Sequence, residues 1–299
     1  MSDYHIPVLL SQCIESLKIR PDGAYVDATF GAGGHSKTIL KNISANGHLY
    51  AFDMDDDAWD NAPDDANFTL IQSNYKFIEK FMRLYGVNGL DGILADLGIS
   101  SHQIDVPERG FSFRFDAPLD MRMNQANPID ARLILNEFSE EDLQALFSEY
   151  GEVRNAKTLA KAIAEHRKHR ALDTTMQLNA ILDKTAMGPA NKYYAQVYQA
   201  LRIEVNGEIK GLEKFLTDAA ALLKPGGRFV VMSYHSLEDR LVKNLFKTGN
   251  TSGEIIRDDF GVIHKPFEII TKKPIVPDFK EQKVNPRSRS AKLRVAQKI

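Results

Sequence analysis

Between a short apolar run and a helix-like stretch the chain reads Val26-Asp27-Ala28-Thr29-Phe30-Gly31-Ala32-Gly33-Gly34-His35-Ser36. Glycines at a strand-to-helix turn let the backbone bend sharply and come close to a ligand. Asp53 ends the next apolar run, 22 residues after Gly31. An acid there can accept hydrogen bonds from ribose hydroxyls. Together these residues describe a nucleoside-cofactor site at the carboxyl ends of parallel strands. Two details choose among cofactors. A dinucleotide fingerprint wants Gly or Ala at the sixth position from Gly31, and this chain has Ser36. Asp27 stands before the glycines, and a carboxylate is poor company for a pyrophosphate. S-adenosylmethionine (SAM) carries no phosphate and ends in an ammonium that acids can bind. It suits this loop better than a nicotinamide dinucleotide, the rival that would make the chain an oxidoreductase.

The elements that must hold these residues follow a strand–helix rhythm. Apolar runs at 24–28, 47–53, 68–72 and 92–97 alternate with helical patterns at 36–41 and 75–85, which implies βαβ units and a parallel sheet. From about Asp105 the rhythm changes to an aromatic loop, Gly110 to Phe115, and then to helices. Ser139 with Asp142 has capping-box spacing. Leu159 and Ile163 sit four apart, and residues 174–182 and 193–205 carry further helical patterns. Alternation returns after Asn206: a helix at 212–223 stopped by Lys224-Pro225-Gly226-Gly227, a strand at 228–232, a helix at 236–246, and alternating strands at 267–271 and 292–296 that can pair antiparallel at a sheet edge. The expected fold is α/β: a Rossmann-like, mostly parallel sheet with an antiparallel edge, discontinuous over 1–103 and 206–299. A mainly helical insertion over 104–205 interrupts it.

Composition agrees with a globular chain. At roughly 150 residues per domain, 299 residues make about two domains. The 43% hydrophobic and 26% charged fractions exclude a disordered tail or a collagen. No apolar run reaches the roughly 18 residues of a membrane span, and no basic segment precedes Val8-Leu9-Leu10 to make a signal peptide. One cysteine, Cys13, leaves no internal disulfide and no CxxC-type zinc site, so no metal and a cytoplasmic location are expected. Net charge is −2, but it is segregated. Seven aspartates and no base lie between Asp53 and Asp65. Six Lys/Arg with one acid lie between Arg154 and Arg170, and six with none between Lys283 and Ile299. Two basic runs in a neutral chain favour a polyanionic partner modestly over plain solvated faces.

Longer blocks are more specific. Asp96-Leu97-Gly98-Ile99-Ser100-Ser101, Glu108-Arg109-Gly110-Phe111-Ser112-Phe113 and Pro118-Leu119-Asp120-Met121-Arg122-Met123 form one signature. To it are added His5 with Pro7-Val8-Leu9-Leu10, the Gly31–Ser36 loop, Gln199-Ala200-Leu201-Arg202-Ile203, Tyr234-His235-Ser236-Leu237-Glu238-Asp239-Arg240, and the run Asn285 to Arg294. These blocks resemble the RsmH (MraW) family, the 16S ribosomal RNA cytosine-N4 methyltransferases, over nearly the whole chain. The stretch Lys192 to Val197 departs from a His-Pro-Ala-Thr-Arg pattern common in that family and bears on the insertion rather than on the cofactor loop.

The resemblance implies a SAM-dependent methyltransferase acting on a cytidine in the decoding centre of the small ribosomal subunit, with the insertion as substrate-recognition domain. Carried over by position, it implies SAM contacts at Gly33, Gly34, His35, Asp53, Phe77, Asp96 and Gln103. Asp96 is the one candidate for a catalytic acceptor on the N4 amine. RNA contacts are expected from Arg109 and, in the acid-free tail, from Arg287, Arg289 and Lys292. Phe111, Phe113 and Phe115 offer either a stacking surface or a buried strand face. His235 and Glu238 offer either a pocket lining or a local cap. A C5-methylating mechanism would need a cysteine to attack the ring, and Cys13 reads as a small buried hydrophobe. A ribosome-assembly factor without chemistry is the non-enzymatic rival, disfavoured by the intact loop and its two acids.

Overall fold

The computed structural model describes residues 7–262 and 265–299, together with the backbone but not the side chain of Ser101. His5 lies outside the described residues. The chain divides into two compact units, one of residues 1–98 and 209–299, the other of residues 99–208.

The first unit is built from α1 (Leu10–Leu17), β1 (Ala24–Asp27), α2 (Gly34–Leu40), β2 (His48–Asp53), β3 (Phe68–Gln72), α3 (Ile78–Leu84) and β4 (Leu90–Asp96). The second holds α4 (Ser101–Asp105), α5 (Ala131–Glu137), α6 (Glu140–Glu149), α7 (Ala156–Arg167), α8 (Thr175–Thr185) and α9 (Ala190–Asn206). The chain then completes the first unit with α10 (Glu208–Leu222), β5 (Leu223–Ser233), α11 (Ser236–Thr248), β6 (Phe267–Ile269), α12 (Phe279–Val284) and β7 (Lys292–Lys298).

The seven strands form one sheet in the order β3-β2-β1-β4-β5-β7-β6. β1 to β5 are parallel, and β7 runs antiparallel to both β5 and β6. The central strands are apolar at nearly every position because both faces are covered. Successive residues feed opposite layers. Val26, Ile93, Phe229 and Val231 face a cluster with Ile78, Met82, Phe215 and Leu245 from α3, α10 and α11. Tyr25, Leu94, Val230 and Met232 face a cluster with Cys13, Leu17 and Ile39 from α1 and α2. Each layer takes one alternate set of the same strands, which pins the register.

Local signals account for several ends. Ser139 caps α6 by accepting from the Asp142 amide. Gly207 closes α9 in the left-handed conformation at φ 59°. Three expectations shift. The helix expected at 36–41 begins at Gly34, because Gly33 takes the N-cap position at φ 75°. The stretch 75–85 splits into a 3-10 turn at Tyr75–Phe77 followed by α3. The fifth strand pairs from Leu223, opposite Leu90, so it already includes the Lys224–Gly227 segment that reads as a turn in sequence. The short helix α5, capped by the Asp130 carboxylate, has too few turns to show a pattern in sequence.

Within the second unit, Asn206 is a buried knot. Its amide accepts from the Met123 amide at 2.8 Å and donates to the Met121 carbonyl at 2.9 Å. The signature segment around Met121 is thereby fastened to the end of α9.

Candidate cofactor site

Three neighbouring strands, β2, β1 and β4, end in Asp53, Asp27 and Asp96. Between β1 and β4 the winding of the sheet reverses, the place where doubly wound folds leave a crevice for ligands. The glycine loop rises from β1 at that point.

Each acid is held by hydrogen bonds from the loops and strand ends around it. Asp27 accepts the Thr29 amide at 3.1 Å and the Ser36 hydroxyl at 2.6 Å. Ser36, the residue that broke the dinucleotide pattern, therefore supplies a hydrogen bond that Gly or Ala could not. Asp53 accepts the Gly31 amide at 2.8 Å through one oxygen and the Asp55 amide at 2.9 Å through the other. Two oxygens offer about four lone-pair sites, so acceptor capacity is left for hydroxyls of a ligand. The Asp96 amide donates to Thr29 Oγ1 at 2.7 Å, and its carboxylate accepts the Tyr234 hydroxyl at 2.8 Å.

The loop conformation depends on its glycines. Gly31 and Gly33 have φ 54° and 75°, in the left-handed region. A Cβ on Gly34 would lie 2.2 Å from the Pro7 ring. His35 is buried at the start of α2, with Nδ1 4.0 Å from the Asp96 carboxylate and no partner for Nε2 among the described residues. Burial pulls its pKa down to about 4, so the ring is neutral.

Burial pushes both Asp27 and Asp96 up to about 7, against the hydrogen bonds they accept. Asp53 is also raised by burial. Among the described residues no lysine or arginine pairs with any of the three. Carboxylates gathered in a desolvated crevice without a cation fit a ligand that brings positive charge, and the unpartnered His35 Nε2 leaves a further polar contact to make. SAM, with its sulfonium and ammonium, meets that test. A pyrophosphate would meet three acids and does not.

Phe77 exposes 41% of its surface, with Lys76 Nζ 5.1 Å from its ring centroid. Phe81, four residues on, packs on Phe52. Gln103 belongs to the other unit, where it forms the capping box of α4: its amide donates to Ser100 Oγ, and its side chain accepts the Ser100 amide.

Arg109, expected as an RNA contact, has internal partners. It is buried, and its guanidinium donates to the carbonyls of Arg122 and Met123. Burying a charged group requires that its donors be used. The three phenylalanines divide: Phe111 is buried, Phe113 packs edge-on against Tyr194 and Tyr198, and Phe115 is exposed. Glu238 accepts the backbone amides of Tyr234 and His235, the local cap of the two alternatives. In the tail, Arg289 is exposed, Arg287 half-buried, and Lys292 lies 3.6 Å from Asp239, which also binds Arg294. Three residues of the site had no role assigned from sequence: Thr29, Ser36 and Tyr234. Tyr234 follows β5 directly, one residue before the His-Ser-Leu-Glu run, and that position after a parallel strand was the signal that could have found it.

A parallel sheet with an antiparallel seventh strand inserted beside the fifth, a glycine loop after β1 and acids after β1, β2 and β4 define a Rossmann-like, SAM-dependent methyltransferase fold. Residues 2–299 match the model of the MraW methylase family. The ribosomal RNA small subunit methyltransferase H of Flavobacterium johnsoniae is 55% identical over 99% of this chain and 98% of its own length. The protein of the same name from Cytophaga hutchinsonii is 52% identical over 99% of both. The chain belongs to the MraW methylase family, whose cofactor is SAM.

Proposed function

We propose that this protein methylates the exocyclic N4 of a cytidine in the decoding centre of 16S ribosomal RNA, within the small ribosomal subunit, in the cytoplasm. The carrying observation is the acid-lined crevice of Asp27, Asp53 and Asp96 under the glycine loop, in a chain of this family. The names of its relatives support the small-subunit substrate. When bound, SAM supplies an activated methyl group on a sulfonium.

The chain's own residues do the rest. Gly33 and Gly34 let the loop backbone approach the cofactor, and His35 meets it with a neutral ring. Asp53 accepts from the ribose hydroxyls. Phe77, with its exposed ring, covers the base. Asp96 and Asp27 face positive charge, and Tyr234 holds the Asp96 carboxylate in place. The insertion over 104–205 recognises the RNA, and the tail residues Arg287, Arg289 and Lys292 add phosphate contacts. The N4 lone pair is delocalised into the ring, so an acceptor for an N4 proton would sharpen it; Asp96 is the candidate. The target base must leave any stack to reach the site.

Attack through nitrogen is favoured over methylation at C5. That route needs a thiolate, and Cys13, the single cysteine, is fully buried, with a thiol pushed well up by burial and by the charge of Asp96. Transfer of tritiated methyl from SAM to small subunits of a strain lacking the protein, followed by nucleoside analysis, tests the proposal. Label in N4-methylcytidine is expected; label in any other nucleoside refutes it.

A further inference from the structure

At the other end of the central strands, where the parallel strands begin, lies a cavity of about 330 Å³ lined by Lys18, Arg20, Tyr25, Asp91, Arg228 and Gln297. Its lining holds three cations and one carboxylate. The carboxylate is already engaged: Asp91 accepts Lys224 Nζ at 2.7 Å and the Ala24 amide at 3.1 Å, and lies 3.6 Å from Arg20. Arg228 is different. It is only 5% exposed, its side chain forms no hydrogen bond or ion pair among the described residues, and its Nε is buried without a partner. Burying a charge without pairing it costs several kcal/mol, and a buried polar group left unsatisfied in a native fold calls for a missing partner.

Lys18 is also one of the cations that line the cavity. It ends α1 in the left-handed conformation at φ 47°, where glycine is the unstrained choice.

We propose that this cavity is an oxyanion site that takes a phosphate group, distinct from the cofactor crevice. A guanidinium carries paired N–H donors in a fixed fork, which matches two oxygens of a phosphate. The lining's net charge of two positive units suits a phosphate better than a single carboxylate. The volume would hold about ten waters at roughly 30 Å³ each, so a phosphate fits with its hydration or with a small organic group attached. The same chemistry has two sources, a free phosphate (inorganic or on a small molecule) and a phosphodiester of RNA.

The test titrates inorganic phosphate into the full-length protein by calorimetry, against chloride at matched ionic strength. One saturable site of about 1 mM or tighter is expected. Arg228→Met should weaken it at least about tenfold, the worth of one charge-assisted hydrogen bond, with SAM affinity unchanged and thermal stability held or raised because an unpaired buried charge is gone. Lys18→Gly should weaken phosphate severalfold while relieving the backbone, so its midpoint should not fall. No saturable phosphate binding, or equal binding by Arg228→Met, overturns the proposal. If Arg228→Met fails to fold, Lys18→Gly decides: phosphate affinity equal to that of the parent protein also overturns it. A second arm measures small-subunit binding with the site saturated by phosphate. Competition assigns the site to RNA, and no competition assigns it to a free phosphate.

Discussion

The Tyr234 hydroxyl donates to Asp96 Oδ1 at 2.8 Å, joining the ends of β5 and β4 across 138 residues of sequence. The bond favours the ionised carboxylate, which burial alone would push further up. Tyr234→Phe should therefore raise the Asp96 pKa above about 7 and weaken SAM binding about tenfold at neutral pH, the worth of one hydrogen bond to a charged group. Calorimetry at two pH values separates this from a packing defect. The deficit should shrink at about pH 9, where Asp96 is ionised again; a deficit independent of pH would show that Tyr234 acts through shape alone.

Asp53 carries both loop geometry and ligand acceptors. Asp53→Ala removes the acceptor of the Gly31 and Asp55 amides together with the lone pairs left for a ribose. A weakening of at least about 2 kcal/mol, roughly thirtyfold in SAM affinity, is expected. Parent-like affinity in calorimetry would remove Asp53 from the cofactor site.

Binding should be linked to protons. Asp27 and Asp96 sit at about 7 in the unliganded protein. A cation stabilises their ionised forms, so SAM should expel protons when it binds near neutrality and bind more weakly as pH falls below about 7. The slope approaches tenfold per pH unit for one proton displaced. Titration in buffers of different ionisation enthalpy measures the release directly; zero release at pH 7 contradicts the linkage.

The same shifts predict stability. A carboxyl raised in the folded state binds its proton more tightly there than when unfolded. Its contribution is present below the unfolded value of 3.8 and disappears as pH rises through the folded value of about 7. The unliganded melting midpoint should therefore lose ground between about pH 4 and pH 7, and saturating SAM should restore it. Asp27→Asn should flatten that dependence in a pH series of thermal melts.

For the tail, neutralising Arg287, Arg289 and Lys292 should weaken small-subunit binding and flatten its salt dependence. The log–log slope should fall by roughly 0.7–0.9 for each phosphate that is no longer neutralised. Lys292 is shared with Asp239, so removing Arg287 and Arg289 alone should produce most of the change. Filter binding across a salt series measures it. An unchanged slope would place the RNA elsewhere.

Much of the molecule was legible as pattern. The alternation of strands and helices, the glycine loop and the acid 22 residues after Gly31 are local signals. Each depends on a periodicity or on a conformation that few residues can adopt, so sequence alone determined the parallel sheet, its antiparallel edge and the class of cofactor. Sequence could not tell which polar groups meet. Arg109 reads as a surface cation but is buried against two carbonyls. Phe77 is a large aromatic residue, yet it is exposed. Ser36 reads as a broken motif but completes a bond to Asp27. The partnership of Asp96 with Tyr234, and the unpaired charge of Arg228, exist only because strands distant in sequence lie side by side in the sheet. Burial and pairing are set by those neighbours, and no residue's type or spacing carries that information along the chain.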